Sequence, residues 1–580
     1  MIDVKLAVRR GLWLGMTAAL SLAAPASTGA QTDVPRTLQV TGEGPDDDFG
    51  WSVAPAGDVN GDSVPDLVVG APSNDAVADF AGRAYLFLGP FTAPRNAADA
   101  DAIISAEAFG DNLGISVASA GDVDADGHDD LILGARGNDD TGIQAGRVYL
   151  FRGPVSGHLS ALQADAVISG EAFEELGRSV ASAGDLNGDG FSDVVLGAPL
   201  AGGGFEGKAY VFNGPVHGSL PSSSADAVIS GVLFNEALGS SAASVGDFNG
   251  DGIDDLVVGA PRPPLNGEAP GRAYVFFGPL SGPISAAQAD VVIEGEGLSD
   301  EFGTSVAAAG DVNGDGRPDL IVGAEQIFIN GSGKAYVFYG PLSGSLSAAD
   351  ADAILLGEVP KDVFGVSVSS AGDVNGDGFD DVVVGAWDNG AGGGRSGRAY
   401  VFLGPLAGTI SAANADIFIN GAAGDQVGQS VASATDLNAD GLGDVIVGAP
   451  QFFDGDPGYA RIVFGQHAVL DVKLTPKDDP IEVPPEGGPV QFEVGVLSDA
   501  GFPRRFDAWI EISNQDAGIR LLRGPFHLAF GPDGSARRRL TELVPDTAPA
   551  GTYVVKGSVG RFPAAADSDS FTFEKLAGLP

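Results

Sequence analysis

Short apolar runs recur along most of the chain, each bounded by glycine, proline or aspartate, and the spacing of an amphipathic helix is never sustained. In one span they read Ala166-Val167-Ile168-Ser169, Ser179-Val180-Ala181, Val194-Val195-Leu196-Gly197 and Ala209-Tyr210-Val211-Phe212, which predicts four strands joined by turns. Strands such as Leu67-Val68-Val69 are apolar at every position instead of alternating, so both of their faces are expected to be covered by neighbouring sheets. The unit repeats. One acidic signature begins at residues 58, 122, 185, 247, 311, 373 and 436, in steps of 62 to 64 residues. Seven copies of a four-strand unit predict a circular or solenoid array, and the radially packed sheets of a β-propeller supply burial on both faces.

Counting strands suggests how the ring closes. The seventh copy runs out after Ile462-Val463-Phe464, and the short strand that should follow is missing there. Thr37-Leu38-Gln39-Val40-Thr41, ahead of the first acidic loop, matches the short strands Ala102-Ile103-Ile104 and Asp416-Ile417-Phe418-Ile419. The expected fold is therefore all-β: a seven-bladed β-propeller closed by an N-terminal strand, which leaves no open sheet edge.

Each acidic signature has the form D-x-[DN]-x-D-x-x-x-D between two strands, usually with glycine at the sixth position. The side chains are Asp58, Asn60, Asp62 and Asp66 in the first loop, Asp122, Asp124, Asp126 and Asp130 in the second, and Asp185, Asn187, Asp189 and Asp193 in the third. Asp247, Asn249, Asp251 and Asp255 form the fourth, and Asp311, Asn313, Asp315 and Asp319 the fifth. Asp373, Asn375, Asp377 and Asp381 form the sixth, and Asp436, Asn438, Asp440 and Asp444 the seventh. Calcium takes about six to eight oxygen ligands. Positions one, three, five and nine, with the backbone carbonyl of position seven, provide most of them. That carbonyl belongs to Val64, His128, Phe191, Ile253, Arg317, Phe379 and Leu442 in turn. The loop opens like an EF-hand but ends at an aspartate in position nine. Without a cation, carboxylates held this close repel by about 1 kcal/mol per pair even in water. Up to seven Ca2+ ions are therefore expected. Ser63-Val64, Ala125 and Ala439 depart from the glycine-rich pattern, and weaker binding is expected in those loops.

Charge sharpens the picture. The formal net charge is −47, with 78 acidic against 31 basic residues, and nearly all of the excess falls between residues 31 and 469. Such a surface repels nucleic acid, whose binding rests on lysine and arginine, and attracts cations. Arg9 and Arg10 precede an apolar stretch from Leu12 to Ala24 and the small residues Thr28-Gly29-Ala30, the pattern of a secretory signal peptide over residues 1–30. No later stretch is apolar enough for a transmembrane segment. Cysteine is absent, so an exported chain is stabilised without disulfides, and bound metal is one alternative.

The loops lie between two further motifs. The first reads Phe49-Gly50, Phe302-Gly303 and Phe364-Gly365, with Leu113-Gly114, Leu176-Gly177, Leu238-Gly239 and Val427-Gly428 as variants. The second reads Gly70-Ala71-Pro72, Gly197-Ala198-Pro199, Gly259-Ala260-Pro261 and Gly448-Ala449-Pro450. Residues 35–465 thus resemble the FG-GAP repeats of integrin α-subunit propellers and of bacterial secreted relatives. That resemblance implies calcium loops on one face and strand-connecting loops available to ligands. It does not extend to an inserted adhesion domain, because the even spacing leaves no room for one.

Past the propeller, expected over residues 31–468, a proline-rich stretch leads into alternating strands at Val490-Gln491-Phe492-Glu493-Val494, Ala508-Trp509-Ile510-Glu511-Ile512, Thr552-Tyr553-Val554-Val555 and Ser570-Phe571-Thr572-Phe573. They predict a C-terminal immunoglobulin-like β-sandwich over residues 469–580. Arg504-Arg505 and Arg537-Arg538-Arg539 read as solvated strand faces. The five histidines are scattered and form neither a metal-ligand spacing nor a nucleophile arrangement. No catalytic residues are assigned. The sequence therefore points to a secreted calcium-binding adhesion or ligand-binding scaffold with an extracellular protein or glycan partner. A calcium-dependent lectin-like protein is the alternative, and a carbohydrate-active enzyme the third reading.

Overall fold

The computed structural model describes residues 37–466, apart from 263–269, 299, 327–330 and 452–454, and the strands between residues 470 and 575. The expected signal segment, residues 1–30, lies outside the described residues. Residues Val34–Gln466 form one compact unit, and His467–Pro580 belong to a second.

The first unit is a ring of seven blades. Blade three shows the plan: inner strand Ser179–Gly184, second strand Asp193–Ala198, third strand Lys208–Phe212 and fourth strand Ala227–Ser230, each antiparallel to the one before. All six residues of the second strand are buried, as its unbroken apolar run predicts. The inner strands of successive blades neighbour one another around the ring, the seventh beside the first. The core lies between the blades. Val68, Leu86 and Ile104 of blade one pack with Leu131, Leu133, Tyr149 and Phe151 of blade two, all buried. Side chains of this size contribute about 1.5–3 kcal/mol each when fully buried.

Among the described residues, six of the seven sheets carry a fifth strand. Blade three gains Gly282–Ser285, which comes from the next repeat and pairs parallel with Ala227–Ser230. This strand covers the outer edge of the preceding blade and leads into a single 3-10 turn, Ala286–Gln288, capped by Ser285. In these six blades the four-strand unit read from the sequence is thus extended by a strand received from the neighbouring repeat. In blade seven the fourth position is held by Thr37–Thr41, antiparallel to Tyr459–Val463 with Thr37 opposite Val463 and Thr41 opposite Tyr459.

The paired glycine motifs hold adjacent blades together. The glycine of Gly197-Ala198 lies against the backbone of Gly239 in the next blade, and a Cβ on Gly197 would overlap the Gly239 carbonyl oxygen. The same oxygen accepts a hydrogen bond from the Ser179 hydroxyl at 3.0 Å. Gly448 of blade seven meets Gly50 of blade one in the same way. The seam leaves no room for a side chain. Gly197→Ala is therefore expected to cost at least about 2 kcal/mol, read as a lower thermal midpoint in calcium. An unchanged midpoint would mean the seam is loose enough to absorb a methyl group.

The second unit contains two sheets. One orders Leu470–Pro476, Gly488–Ser498 and Ser535–Val544, and the other orders Glu482–Val483, Ala564–Lys575, Gly551–Arg561, Arg505–Asn514 and Ile519–Ala529.

Candidate functional site: the ring of acidic loops

Each acidic loop connects the inner strand of a blade to its second strand, so all seven emerge at the same end of their sheets. Their hydrogen bonds repeat. In the third loop the N–H groups of Asp189 and Gly190 donate to the two oxygens of Asp185, at 3.0 and 2.9 Å. Asp189 Oδ1 accepts from Phe191 N–H at 3.0 Å. Position nine is anchored on both sides: Asp193 accepts from Leu186 N–H at 2.9 Å and from Gly214 N–H, beyond the third strand, at 2.9 Å. The same donors serve Asp66, Asp130, Asp255, Asp319, Asp381 and Asp444. Backbone donors thus fix the carboxylates of positions one, five and nine before any ligand arrives.

The position-nine carboxyls are fully buried. Burial, opposed by their backbone donors and reinforced by the other loop carboxylates, pushes Asp66, Asp130, Asp193, Asp255 and Asp319 up to about 6 and Asp444 up to about 7. Asp381 is raised well above its ordinary value for the same reasons.

The second loop carries aspartate in place of asparagine at position three. Oxygens of Asp122, Asp124 and Asp130 lie within 4.8 Å of one another. Asp124 Oδ2 accepts from Arg152 at 2.7 Å, while Asp124 Oδ1 is buried with no hydrogen-bond donor. A buried anionic oxygen without a donor is the vacancy a hard cation fills, so these residues fit Ca2+. The atypical loops keep the common path. Ser63, Ala125 and Ala439 take up left-handed backbone conformations, with φ of 68°, 56° and 60°, as glycine does elsewhere in these loops.

Two sets of acids escaped the sequence reading. Position eight links neighbouring loops: Asp129 accepts from Asp58 N–H at 2.7 Å, Asp254 from Asp185 N–H at 2.9 Å and Asp380 from Asp311 N–H at 2.7 Å. The second set stands two residues before each FG-type motif, as Asp47, Asp111, Glu174, Glu236, Asp300, Asp362 and Asp425. These accept backbone N–H groups of their own turns, as Asp111 does from Ala108 at 2.8 Å. Glu174 and Asp425 also accept third-strand tyrosine hydroxyls, Tyr210 and Tyr459, both at 2.7 Å. Their regular spacing was the signal that could have revealed them.

The profile of the FG-GAP repeat matches residues 49–87, 113–151, 176–212, 239–276, 302–338, 364–402 and 427–463, one match per blade. Similar curated proteins include integrin alpha pat-2 of Caenorhabditis briggsae, 30% identical over 265 residues that cover 43% of this chain and 20% of that protein. Integrin alpha-5 of Xenopus laevis is 32% identical over 233 residues, 39% of this chain and 21% of that one. Phosphatidylinositol-glycan-specific phospholipase D of Bos taurus is 36% identical over 178 residues, 28% and 20% of the two chains. The chain spans about a fifth of the length of these relatives. With a repeat match on every blade and the motif glycines meeting at the seams between them, the chain belongs to the FG-GAP repeat proteins, with an integrin α-like β-propeller.

Proposed function

We propose that this chain is an exported ligand-binding or adhesion scaffold whose seven acidic loops each hold one calcium ion. The observation that carries the reading is the repeated placement of carboxylates by backbone donors around a buried position-nine aspartate. When bound, calcium supplies the positive charge that turns mutual repulsion of the loop carboxylates into attraction. The chain's own residues do the rest: positions one and five shape the loop, position nine ties it to the third strand, and position eight ties it to the adjoining blade. Calorimetric titration of the calcium-depleted protein is expected to count several ions, approaching seven. A count of zero would make the aspartates turn residues and remove the basis of the reading.

The same proposal includes removal of residues 1–30 on export, closure of the ring by Thr37–Thr41, and an immunoglobulin-like C-terminal unit over residues 469–580 acting as a spacer. Among the described residues no helix is long and apolar enough to cross a membrane. Non-enzymatic binding is favoured because the acids cluster where backbone donors organise them around a cation. The phospholipase D relative aligns over a fifth of its own length.

The raised carboxyls give this reading a pH signature. In chelator, between the ordinary carboxylate value near 4 and about 6, the folded chain holds more protons than the unfolded one. Stability of the calcium-free protein is therefore expected to rise as pH falls from 7 to 5. In calcium the trend reverses over the same window, because protons compete with the ion for the carboxylates. Melting curves at both pH values, with and without calcium, check this. A chelated protein that melts lower at pH 5 than at pH 7 would show that the buried position-nine carboxyls do not govern stability in this window.

A further inference from the structure

We propose that Asp129, Asp254 and Asp380 couple calcium binding between neighbouring loops, so that loops one and two, three and four, and five and six each respond to calcium as a pair. The proposal deepens the calcium reading above and rests on it.

Position eight stands between two ligand positions of its own loop, the carbonyl of position seven and the carboxylate of position nine. Around the ring it reads Pro65, Asp129, Ser192, Asp254, Pro318, Asp380 and Gly443. Every acid falls in an even-numbered loop. Each of the three makes a two-point clasp on position one of the preceding loop. Asp129 Oδ2 accepts from Asp58 N–H at 2.7 Å, while Asp129 N–H donates to the Asp58 carbonyl at 3.0 Å. For Asp254 and Asp185 the two distances are 2.9 and 3.4 Å, and for Asp380 and Asp311 they are 2.7 and 3.1 Å.

The other seams lack the carboxylate. Ser192 and Gly443 make the backbone bond, to the carbonyls of Asp122 and Asp373 at 3.1 and 2.9 Å. Pro65 and Pro318 can make neither bond, because proline has no N–H and its side chain has no acceptor. The residue before position one is shaped to match. A Cβ on Gly57, Gly184 or Gly310 would overlap the carboxylate of Asp129, Asp254 or Asp380, so each glycine leaves the room that its neighbour's acid occupies. Before loop seven, where Pro65 is the neighbour, the same place holds Thr435. The position-eight links are therefore broken between loops four and five and between loops seven and one.

Coupling follows from what the clasp holds. Asp58, Asp185 and Asp311 occupy position one, and their side chains accept the N–H groups that shape their own loops. A loop closed on its ion fixes positions seven and nine, and with them the acid between. That acid then holds position one of the preceding loop in place, which leaves less ordering for the second binding event to impose. Linkage makes the effect mutual, and couplings of this kind begin at about fivefold in affinity. The clasp modulates sites that each still bind an ion alone.

The test is hydrogen exchange by mass spectrometry on the mature chain titrated with calcium, the protection midpoint of each loop being read from its own peptide. Asn249→Ala, which removes a ligand from loop four, is expected to raise the calcium midpoint of loop three about fivefold and to leave loop five unchanged. Asp254→Ser copies the residue that loop three carries at position eight, and it should block that transmission: the double variant should titrate in loop three as Asp254→Ser does alone. Pro318→Asp should create a link that the native ring lacks, because Gly246 keeps the facing place open, with Pro318 no closer than 3.9 Å to a Cβ built there. Asn313→Ala in loop five should then shift loop four, as it does not in the native background. Coupling gained in this way cannot come from misfolding. Pro65→Asp, which faces Thr435, should gain none.

A loop-three midpoint indifferent to Asn249→Ala, an equal shift in loop five, or a shift that survives Asp254→Ser would overturn the pairing and leave a scaffold of independent calcium sites. A thermal midpoint lowered alike in calcium and in chelator by Asp254→Ser, with the calcium midpoints unmoved, would overturn it too and make the clasp a brace of the fold. Protection that ignores calcium in every loop would remove the scaffold reading itself, and the pairing with it.

Discussion

Moving the mature protein from millimolar calcium into excess chelator is expected to abolish most of the propeller's stability. A site filled at ten times its dissociation constant stabilises the fold by about 1.4 kcal/mol, so seven independent sites give about 10 kcal/mol. That is comparable with the whole stability of many domains, about 5–15 kcal/mol. The geometry explains why little would remain. Each position-nine carboxylate is buried with other carboxylates nearby and, without an ion, has only backbone dipoles to offset its charge. A single-loop variant separates the ion from the turn. Among the described residues Asn187 Oδ1 accepts only from Asp189 N–H, so Asn187→Ala should lose one ion and about 1.4 kcal/mol in calcium yet be nearly neutral in chelator. Thermal unfolding by circular dichroism in both buffers reads both effects. Coincident midpoints with and without calcium would sink the prediction, and an Asn187→Ala cost equal in both buffers would assign that residue to the turn alone.

The parts of this fold legible in the sequence are those written in short-range chemistry. The D-x-[DN]-x-D-x-x-x-D loop is visible because its carboxylates at positions one and five answer to their neighbours in the chain, and the unbroken apolar second strands are visible because both of their faces are buried. What stayed hidden depends on the blade next door. Gly157–Ser160 has little strand character of its own, and its sequence, Gly157-His158-Leu159-Ser160, gives no sign that it pairs with Ala102–Ser105 of the preceding blade. Asp129 looks like one more loop acid, and only the adjoining Asp58 reveals it as a tie between loops. The acid two residues before each FG-type motif was regular enough to notice. Its role was illegible because its partners include a tyrosine from another strand, as Glu174 finds in Tyr210.

Deleting residues 35–45 is expected to have the second large effect, on the seam between the first and last blades. Thr37–Thr41 supplies Leu38 and Val40, both buried, to a cluster that also holds Phe49, Tyr85, Ile446, Ile462 and Phe464. Losing the two side chains removes about 3–6 kcal/mol of apolar burial, before the backbone pairing with Tyr459–Val463 is counted. Glu43 goes with them, and with it the ion pair to Arg83 at 2.8 Å. The consequence is larger than one lost strand because the seventh blade then presents Tyr459–Val463 as a free edge, ready to pair with another chain. The shortened protein should melt well below the full chain in calcium and should associate on size-exclusion chromatography. Val40→Asp should reproduce the loss of stability with the strand still present, whereas Thr37→Ala, at an exposed position, should not. A synthetic peptide of residues 35–45 added in trans is expected to restore part of the midpoint by occupying the vacant strand position. A deletion variant that stays monomeric and melts with the full chain would show that the ring is held by its inner strands and glycine seams alone.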